Sequence, residues 1–83
     1  MEERIFYVRI PLISVEYEVR CSSVILVKDV LNLLSKNMEK ELGIDSSVIL
    51  DAVVCLQEQN IPVSIVRAIR DTPIQNGDHL ILV

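Results

Sequence analysis

The last ten residues of the chain constrain its fold more than any other segment. They read Ile74-Gln75-Asn76-Gly77-Asp78-His79-Leu80-Ile81-Leu82-Val83. The Asn76-Gly77 pair suits a tight turn because it tolerates positive φ, and the apolar residues after it have strong β propensity. Terminal residues fray unless other segments tie them down. We therefore expect this run to form a strand inside a sheet, between strands that occur earlier in the chain.

Length and composition favour one small domain. The chain has 83 residues, of which 51% are hydrophobic and only 4% are aromatic. A chain of this size buries about 60 to 65% of its unfolded surface. Its length leaves no room for separate catalytic and regulatory domains. The apolar residues are mostly Val, Ile and Leu, which suits a sheet and a helix that share one core. We predict a single domain spanning residues 1–83.

The charge pattern argues against nucleic acid and membrane partners. Eight basic residues stand against 12 acidic ones, a net charge of −4, and no basic run could neutralise phosphates. The longest apolar runs, such as Val24 to Val27, are far shorter than the roughly 20 residues that span a bilayer. The first four residues, MEER, do not resemble a signal peptide. We expect a cytoplasmic protein without membrane insertion.

Few residues could carry catalysis or hold a metal ion. Cys21 and Cys55 have no CxxC spacing and His79 is the only histidine, so we expect two free thiols and no metal site. His79 should lie solvated on the outer side of the last strand, with no visible nucleophile to activate. The sequence therefore predicts a protein that is not an enzyme and needs no cofactor.

The amino-terminal part predicts a hairpin. The segment Arg4 to Leu12 alternates with the period of two that is typical of a strand. Its residues fall on two faces, Phe6, Val8 and Ile10 on one and Ile5, Tyr7 and Arg9 on the other. Pro11 and Ser14 favour a reversal. In the segment Val15 to Cys21, apolar residues then alternate with charged ones, which predicts a half-buried strand with a solvated outer face.

A helix should follow from about Val24 to Leu42. Ser22-Ser23 offers an N-cap, and Gly43 suits the left-handed residue that ends a helix. The predicted core stripe, at a period of about 3.6, consists of Val24, Val27, Leu31, Leu34 and Met38, with Val30 and Leu42 beside it. Leu26 and Leu33 should lie together, off this stripe. They either pack along its flank or belong to a surface that meets a partner.

The remaining segments predict more strands. We place a third strand at about Leu50 to Leu56, a turn at Gln57 to Asn60, and a short edge strand at Ile61 to Ile65, which Pro62 weakens. The connection Arg67 to Ile74 should direct Ile69 and Ile74 into the core, and Pro73 excludes a regular helix there. The order of elements predicts an α+β fold, in which one helix crosses a mixed sheet and the final strand lies centrally beside the first.

This order resembles the β-grasp fold of ubiquitin, with a mixed sheet of four to five strands crossed by one helix. The resemblance rests on Ser23 before Val24, Val27-Lys28 and Leu31, the Ile69 to Ile74 spacing, and the turn Gln75 to Asp78 before Leu80-x-Leu82. Within the superfamily, the chain is similar to the YukD/EsaB family. That family accompanies type VII (WXG100) secretion in Gram-positive bacteria. The similar segments are Val19 to Ser22, Val27 to Val30 and Ile74 to Leu80.

The resemblance implies an accessory or regulatory protein-binding component of the secretion system. Ubiquitin and the related sulfur carriers need a Gly-Gly tail for conjugation, whereas this chain ends in Leu82-Val83 and has glycine only at Gly43 and Gly77. The YukD-like family also lacks that tail, so we expect no conjugation. Two alternatives stay open: a sulfur carrier or protein modifier, and a ubiquitin-like domain of a larger secretion component.

The expected binding surface is the sheet face opposite the helix. In a sheet ordered 2-1-5-3, as the resemblance implies, the residues that meet the helix are Phe6, Val8, Val54, Leu56, Leu80 and Leu82. The residues left on the outer face are Ile5, Tyr7, Val53, Cys55, His79, Ile81 and Val83. These side chains either shield one another or form an interface. Ubiquitin uses a similar patch, so the resemblance favours contact with a protein partner or a second copy of the chain.

Overall fold

The computed structural model describes residues 2–43, 45 and 52–83. Its helix is α1 (Val27–Leu42), and its strands are β1 (Glu3–Ile10), β2 (Val15–Ser22), β3 (Val54–Leu56), β4 (Ile61–Pro62) and β5 (His79–Leu82). The strands form one sheet in the order β2-β1-β5-β3-β4. β5 is parallel to β1 and antiparallel to β3. The predicted mixed α+β sheet, with the final strand beside the first, is confirmed.

The amino-terminal hairpin is confirmed, with a shorter first strand than predicted. β1 and β2 pair from Glu3 opposite Ser22 to Ile10 opposite Val15. The residues Pro11–Ile13 form a 3-10 turn instead of extending the strand, because proline cannot donate to the ladder. Ser14 closes the turn at a φ of 55° and donates its N–H to the Pro11 carbonyl at 3.1 Å.

The helix begins three residues later than predicted, and the predicted serine cap is wrong. Leu26 occupies the N-cap with extended backbone and no side-chain capping bond. Ser23 is buried and accepts a hydrogen bond at its carbonyl from the Arg70 N–H, at 2.8 Å. The residues 24–26 thus belong to a turn and a short bridge that hydrogen-bond to the segment around residue 69.

Backbone carbonyls of the later loop cap the helix in place of a side chain. The Val27 N–H donates to the Arg67 carbonyl at 3.0 Å, and the Lys28 N–H donates to the Ile65 carbonyl at 2.9 Å. These bonds satisfy two of the amide groups that a helix leaves free at its first turn. At the other end Gly43 is left-handed, with a φ of 65°, as predicted.

The core lies between α1 and the inner face of the sheet. Its buried helix residues are Val27, Val30, Leu31, Leu34, Ser35 and Met38. All of them except Ser35 share one hydrophobic cluster with Phe6, Val8, Ile10, Val54, Leu56, Val63, Ile69, Ile74, Leu80 and Leu82. Val24 and Leu42 were expected on or beside the stripe, but they are 45% and 47% exposed. Val24 lies outside the helix, and Leu42 is the last residue of its final turn.

The second half of the sheet is shorter than the sequence suggested. β3 covers only the end of the predicted Leu50 to Leu56 strand, and residues 46–51 lie outside the described residues. β4 stops at Pro62 and forms the sheet edge as predicted. The Ile65 carbonyl, expected in this strand, instead caps the helix. Ile69 and Ile74 are fully buried, which confirms their predicted place in the core.

Candidate protein-binding face of the sheet

Strand register brings the predicted surface residues together on the face opposite α1. Tyr7 pairs with His79, and Ile81 pairs with Arg9 on one side and Cys55 on the other. Direct partners in neighbouring strands project to the same face. Leu80 and Leu82 are buried, so the residues between and after them point away from the helix. We call the surface formed by Ile5, Tyr7, Val53, Cys55, His79, Ile81 and Val83 the outer face.

The apolar exposure of the outer face is concentrated at one end. Val53 and Val83 are 56% and 69% exposed, whereas the other five residues are half-buried. Two hydrogen bonds join these valines, from the Val53 N–H to the Val83 carbonyl at 2.8 Å and in the reverse direction at 3.0 Å. The backbone bonds hold the two exposed side chains beside each other, next to the Cys55–Ile81 pair.

The opposite end of the outer face is a polar cluster around His79. The imidazole stacks on the Tyr7 ring, with 5.0 Å between centroids and 22° between planes. Its Nδ1 lies 2.8 Å from Oε1 of Glu58, and its Nε2 lies 3.6 Å from Oε1 of Glu16. Arg9 completes the cluster, with Nη2 at 3.8 Å from the same Glu16 oxygen.

This cluster corrects the expectation for His79. Its place on the outer side of the strand is confirmed, but the side chain is only 35% exposed and is held by two carboxylates and a ring. Glu16 and Glu58 were missed as members of the site because they come from β2 and from the turn after β3. No short-range sequence signal connects these segments. The charge alternation of β2 did indicate that Glu16 points outward.

Glu58 is an acid whose charged form the folded state favours. A hydrogen bond from its own backbone amide, followed by one from the His79 side chain, lowers the pKa of the Glu58 carboxyl below its ordinary value of 4.5. A group with a depressed pKa stabilises the folded state above its unfolded pKa, and this contribution is lost as the pH falls through the folded pKa.

We therefore expect Glu58→Gln to lower stability at pH 7 and to have less effect in acid. Glutamine resembles the protonated acid, so the difference between the two proteins should shrink once the pH falls below about 4.5. Urea unfolding of both proteins at several pH values would measure this. The matched control is Gln57→Glu, because Gln57 is an exposed neighbour in the same turn. A stability difference for Glu58→Gln that is constant with pH would contradict the prediction.

The other predicted features are less suited to chemistry. Cys21 and Cys55 are both free and half-buried, as predicted. Burial, and then the nearby Glu3 carboxylate, raise the pKa of the Cys21 thiol, which disfavours the reactive thiolate. Within the described residues, there is no group of three His, Cys, Asp or Glu side chains that could hold a metal ion. The helix in this part of the chain is not long and apolar enough to cross a bilayer.

Leu26 and Leu33 do not form a common helical surface, contrary to the prediction. Leu26 lies before α1, where it is half-buried and bridges Ala68. Leu33 is 59% exposed on the helix. It lines a groove of about 190 Å³ between α1 and β2, together with Val19 and Cys21.

Comparison with known proteins places this architecture among ubiquitin-like domains. No family model and no curated protein matches the sequence. The EccD5 ubiquitin-like domain from Mycobacterium xenopi superposes with a TM-score of 0.67 at 15% identity, over 100% of this chain and 94% of that one. The ubiquitin-like domain of Plasmodium falciparum Dsk2 gives a TM-score of 0.64 at 11% identity, over 99% of this chain and 100% of that one.

A larger assembly contains a similar domain. A chain of the MycP5-free ESX-5 inner membrane complex, in its state II, matches with a TM-score of 0.65 at 15% identity. The match covers 100% of this chain but only 21% of that one. The strand order, the helix across one face and these structural matches together show that the chain has the ubiquitin-like β-grasp fold.

Proposed function

We propose that this chain is a ubiquitin-like protein-interaction module that serves a type VII secretion system in the cytosol and binds its partner without conjugation or catalysis. The observation that carries the proposal is that alternate side chains of the central strand β5 lie in the core and on the outer face. Leu80 and Leu82 fill the core, while Ile81 and Val83 lie on the outer face beside Val53. The likeness to EccD5 and to a chain of the ESX-5 inner membrane complex supports the link to secretion.

The apolar end of the outer face has the properties of an interface core. Val53 precedes β3 and Val83 follows β5, and paired backbone bonds join these two residues at the ends of the central strands. Binding would remove both side chains, and the half-buried Cys55 and Ile81, from water. Apolar area of this kind, surrounded by polar groups, is typical of protein contact sites.

The polar cluster can give the contact its orientation. Glu16, Glu58, Arg9 and His79 lie at one end of the apolar residues and include both charge signs. Charged groups at the rim of an interface mainly affect specificity and association rate. We expect a partner that presents an apolar centre to the valines and polar groups to this cluster.

The proposal is tested by placing charges in the apolar end. We expect Val53→Asp combined with Ile81→Asp to abolish binding, because the desolvated carboxylates would have no partner. The measurement is a pull-down with purified soluble domains of the secretion components encoded beside this chain, together with light scattering for self-association. Val66→Asp is the matched control, since Val66 is 66% exposed near the start of α1. Unchanged capture of these soluble domains by the folded double variant would refute the role of the outer face, whatever its self-association.

A specific observation also favours a second placement of the module. The ESX-5 chain contains the similar domain as only 21% of its length, so this sequence can equally act as a domain of a larger secretion component. Detection of the endogenous product with an antibody against this chain separates the two placements. A 9.4 kDa cytosolic product supports a free accessory protein, as in the YukD/EsaB family, whereas a larger membrane-associated product supports the domain.

The rival function, that of a sulfur carrier or protein modifier, predicts a covalent adduct at the carboxylate. Incubation with ATP and an activating enzyme, followed by intact mass measurement, tests it directly. We expect an unchanged mass, and a carboxylate adduct would favour the rival.

A further inference from the structure

The free edge of β2 is the longest unpaired strand edge in the described part of the chain. On the other side of β1, the Tyr7 N–H donates to the Asp78 carbonyl at 2.9 Å, and the Gly77 N–H donates to the Ile5 carbonyl at 2.8 Å. The odd-numbered residues of β1 therefore direct their backbone groups towards β5 and away from β2. In an antiparallel pair, the residue opposite each of them also turns its backbone groups away.

Three of the four residues of β2 with outward backbone groups carry charged side chains: Arg20, Glu18 and Glu16, opposite Ile5, Tyr7 and Arg9. The fourth, opposite Glu3, is Ser22, whose carbonyl accepts a hydrogen bond from the Ile25 N–H at 3.2 Å. Among the described residues, no other segment pairs with this edge. The opposite edge of the sheet is β4, which is only two residues long and contains Pro62. Short edges with proline resist further pairing, whereas an edge of eight residues without proline is open to it.

We propose that two copies of this chain associate through β2, which pairs antiparallel with β2 of the second copy about a two-fold axis at Val19. The sheets would then join into one continuous sheet with both helices on the same face. This interface borders the outer face along β2, and Glu16 belongs to both, but the pairing involves neither Val53 nor Ile81 and does not depend on the proposed function.

Charge pairing selects this register over its neighbours. With the axis at Val19, Glu18 of each copy faces Arg20 of the other, and Glu16 faces the uncharged Ser22, whose N–H is free of the Ile25 turn bond that its carbonyl makes. No like charges are opposed. With the axis at Glu18, the two Glu18 side chains would face each other, and directly opposed like charges destabilise a sheet. A strand edge that prevents pairing between copies would carry charges of one sign. Here Glu18 and Arg20 have opposite charges, so each can face the other residue in a second antiparallel copy.

The helix side of the same edge is apolar. Val19 would meet Val19 of the second copy, and Tyr17 would meet Cys21. In the single chain these three side chains are half-buried. The groove of about 190 Å³ between β2 and α1 adjoins this line of side chains. Leu33 on its helix wall is 59% exposed. Pairing of the edges would thus cover apolar groups on one face and join opposite charges on the other.

Disulfide trapping tests the register. Val19 directs its backbone groups towards β1, so the two Val19 residues would form a non-hydrogen-bonded pair, with about 4.5 Å between Cα atoms. That distance permits a disulfide. In a Cys21→Ser, Cys55→Ser background, we expect Val19→Cys to cross-link most of the protein and Glu18→Cys to cross-link little. Equal or greater cross-linking by Glu18→Cys, or none by Val19→Cys, would overturn the proposal.

A charge exchange gives a test without cysteines. Either Glu18→Arg or Arg20→Glu alone opposes like charges twice across the axis, so each variant should self-associate about ten-fold more weakly than the natural chain. An equimolar mixture of the two restores both opposite-charge pairs and should form a heterodimer. Sedimentation equilibrium measures all three samples. If the mixture stays as monomeric as the separate variants, the proposal fails. The Val53→Asp, Ile81→Asp double variant should still dimerise, which separates this result from failure of the outer face.

Discussion

Replacing Phe6 with alanine should lower the free energy of unfolding by about 3 to 5 kcal/mol. Phe6 is fully buried, and it is the largest side chain at the centre of the cluster between β1 and α1. Its truncation removes apolar contacts from a single small core and leaves a cavity that close packing fills only in part. Domains are typically stable by about 5 to 15 kcal/mol, so this one change would remove much of the total.

Chemical denaturation followed by circular dichroism measures this effect. Leu12→Ala is the matched control, because Leu12 is 78% exposed in the turn between β1 and β2, and we expect a change within about 0.5 kcal/mol. Phe6→Leu should cost less than Phe6→Ala since it leaves a smaller cavity. Equal stability of the Phe6→Ala and Leu12→Ala proteins would contradict the assignment of Phe6 to the core.

The sheet could be predicted from the sequence because its signals are local. The period of two placed Phe6, Val8 and Ile10 on the buried face of β1, and the same alternation made Leu80 and Leu82 the inner residues of β5. Positive backbone φ at Gly43 and Gly77 agrees with the turn and helix-end chemistry expected there. Each of these inferences requires only residues that are neighbours in sequence.

The start of the helix could not be predicted in this way because its cap comes from a distant segment. Ser22-Ser23 is a good local N-cap, but the carbonyls of Ile65 and Arg67 bind the first helical amides instead. The tertiary contact thus overrides local preference. The same limit explains Val24, whose spacing suited the core stripe although it lies outside the helix.

The candidate site was also predictable only where the signal is local in sequence. With the sheet order that the resemblance implies, alternation predicted which side chains share the outer face, because face assignment follows from the strand period. It did not predict the association of His79 with Glu58 and Glu16, which depends on three separated segments. Nor could it show that exposure is concentrated at Val53 and Val83, because partial shielding depends on the conformation of surrounding side chains.

Substitutions of two adjacent residues of β5, Leu80 and Ile81, should separate effects on folding from effects on binding. We expect Leu80→Ala to lower the free energy of unfolding by about 2 to 5 kcal/mol, because Leu80 is 1% exposed and sits between β1 and β3. Ile81→Ala should have a smaller effect on stability, since Ile81 is only half-buried on the outer face. Its effect on partner binding should be at least ten-fold if it lies within the interface core.

Denaturant unfolding and titration calorimetry with the partner would measure both quantities for each variant. At a temperature where both proteins are folded, Leu80→Ala should bind nearly normally, because its side chain points into the core and not towards the partner. The opposite pattern, in which Leu80→Ala weakens binding of the folded protein and Ile81→Ala does not, would place the contact on another surface. Since both residues belong to one strand, a difference between them cannot arise from loss of the strand itself. It would therefore assign the function to the outer face of β5 separately from the fold that β5 supports.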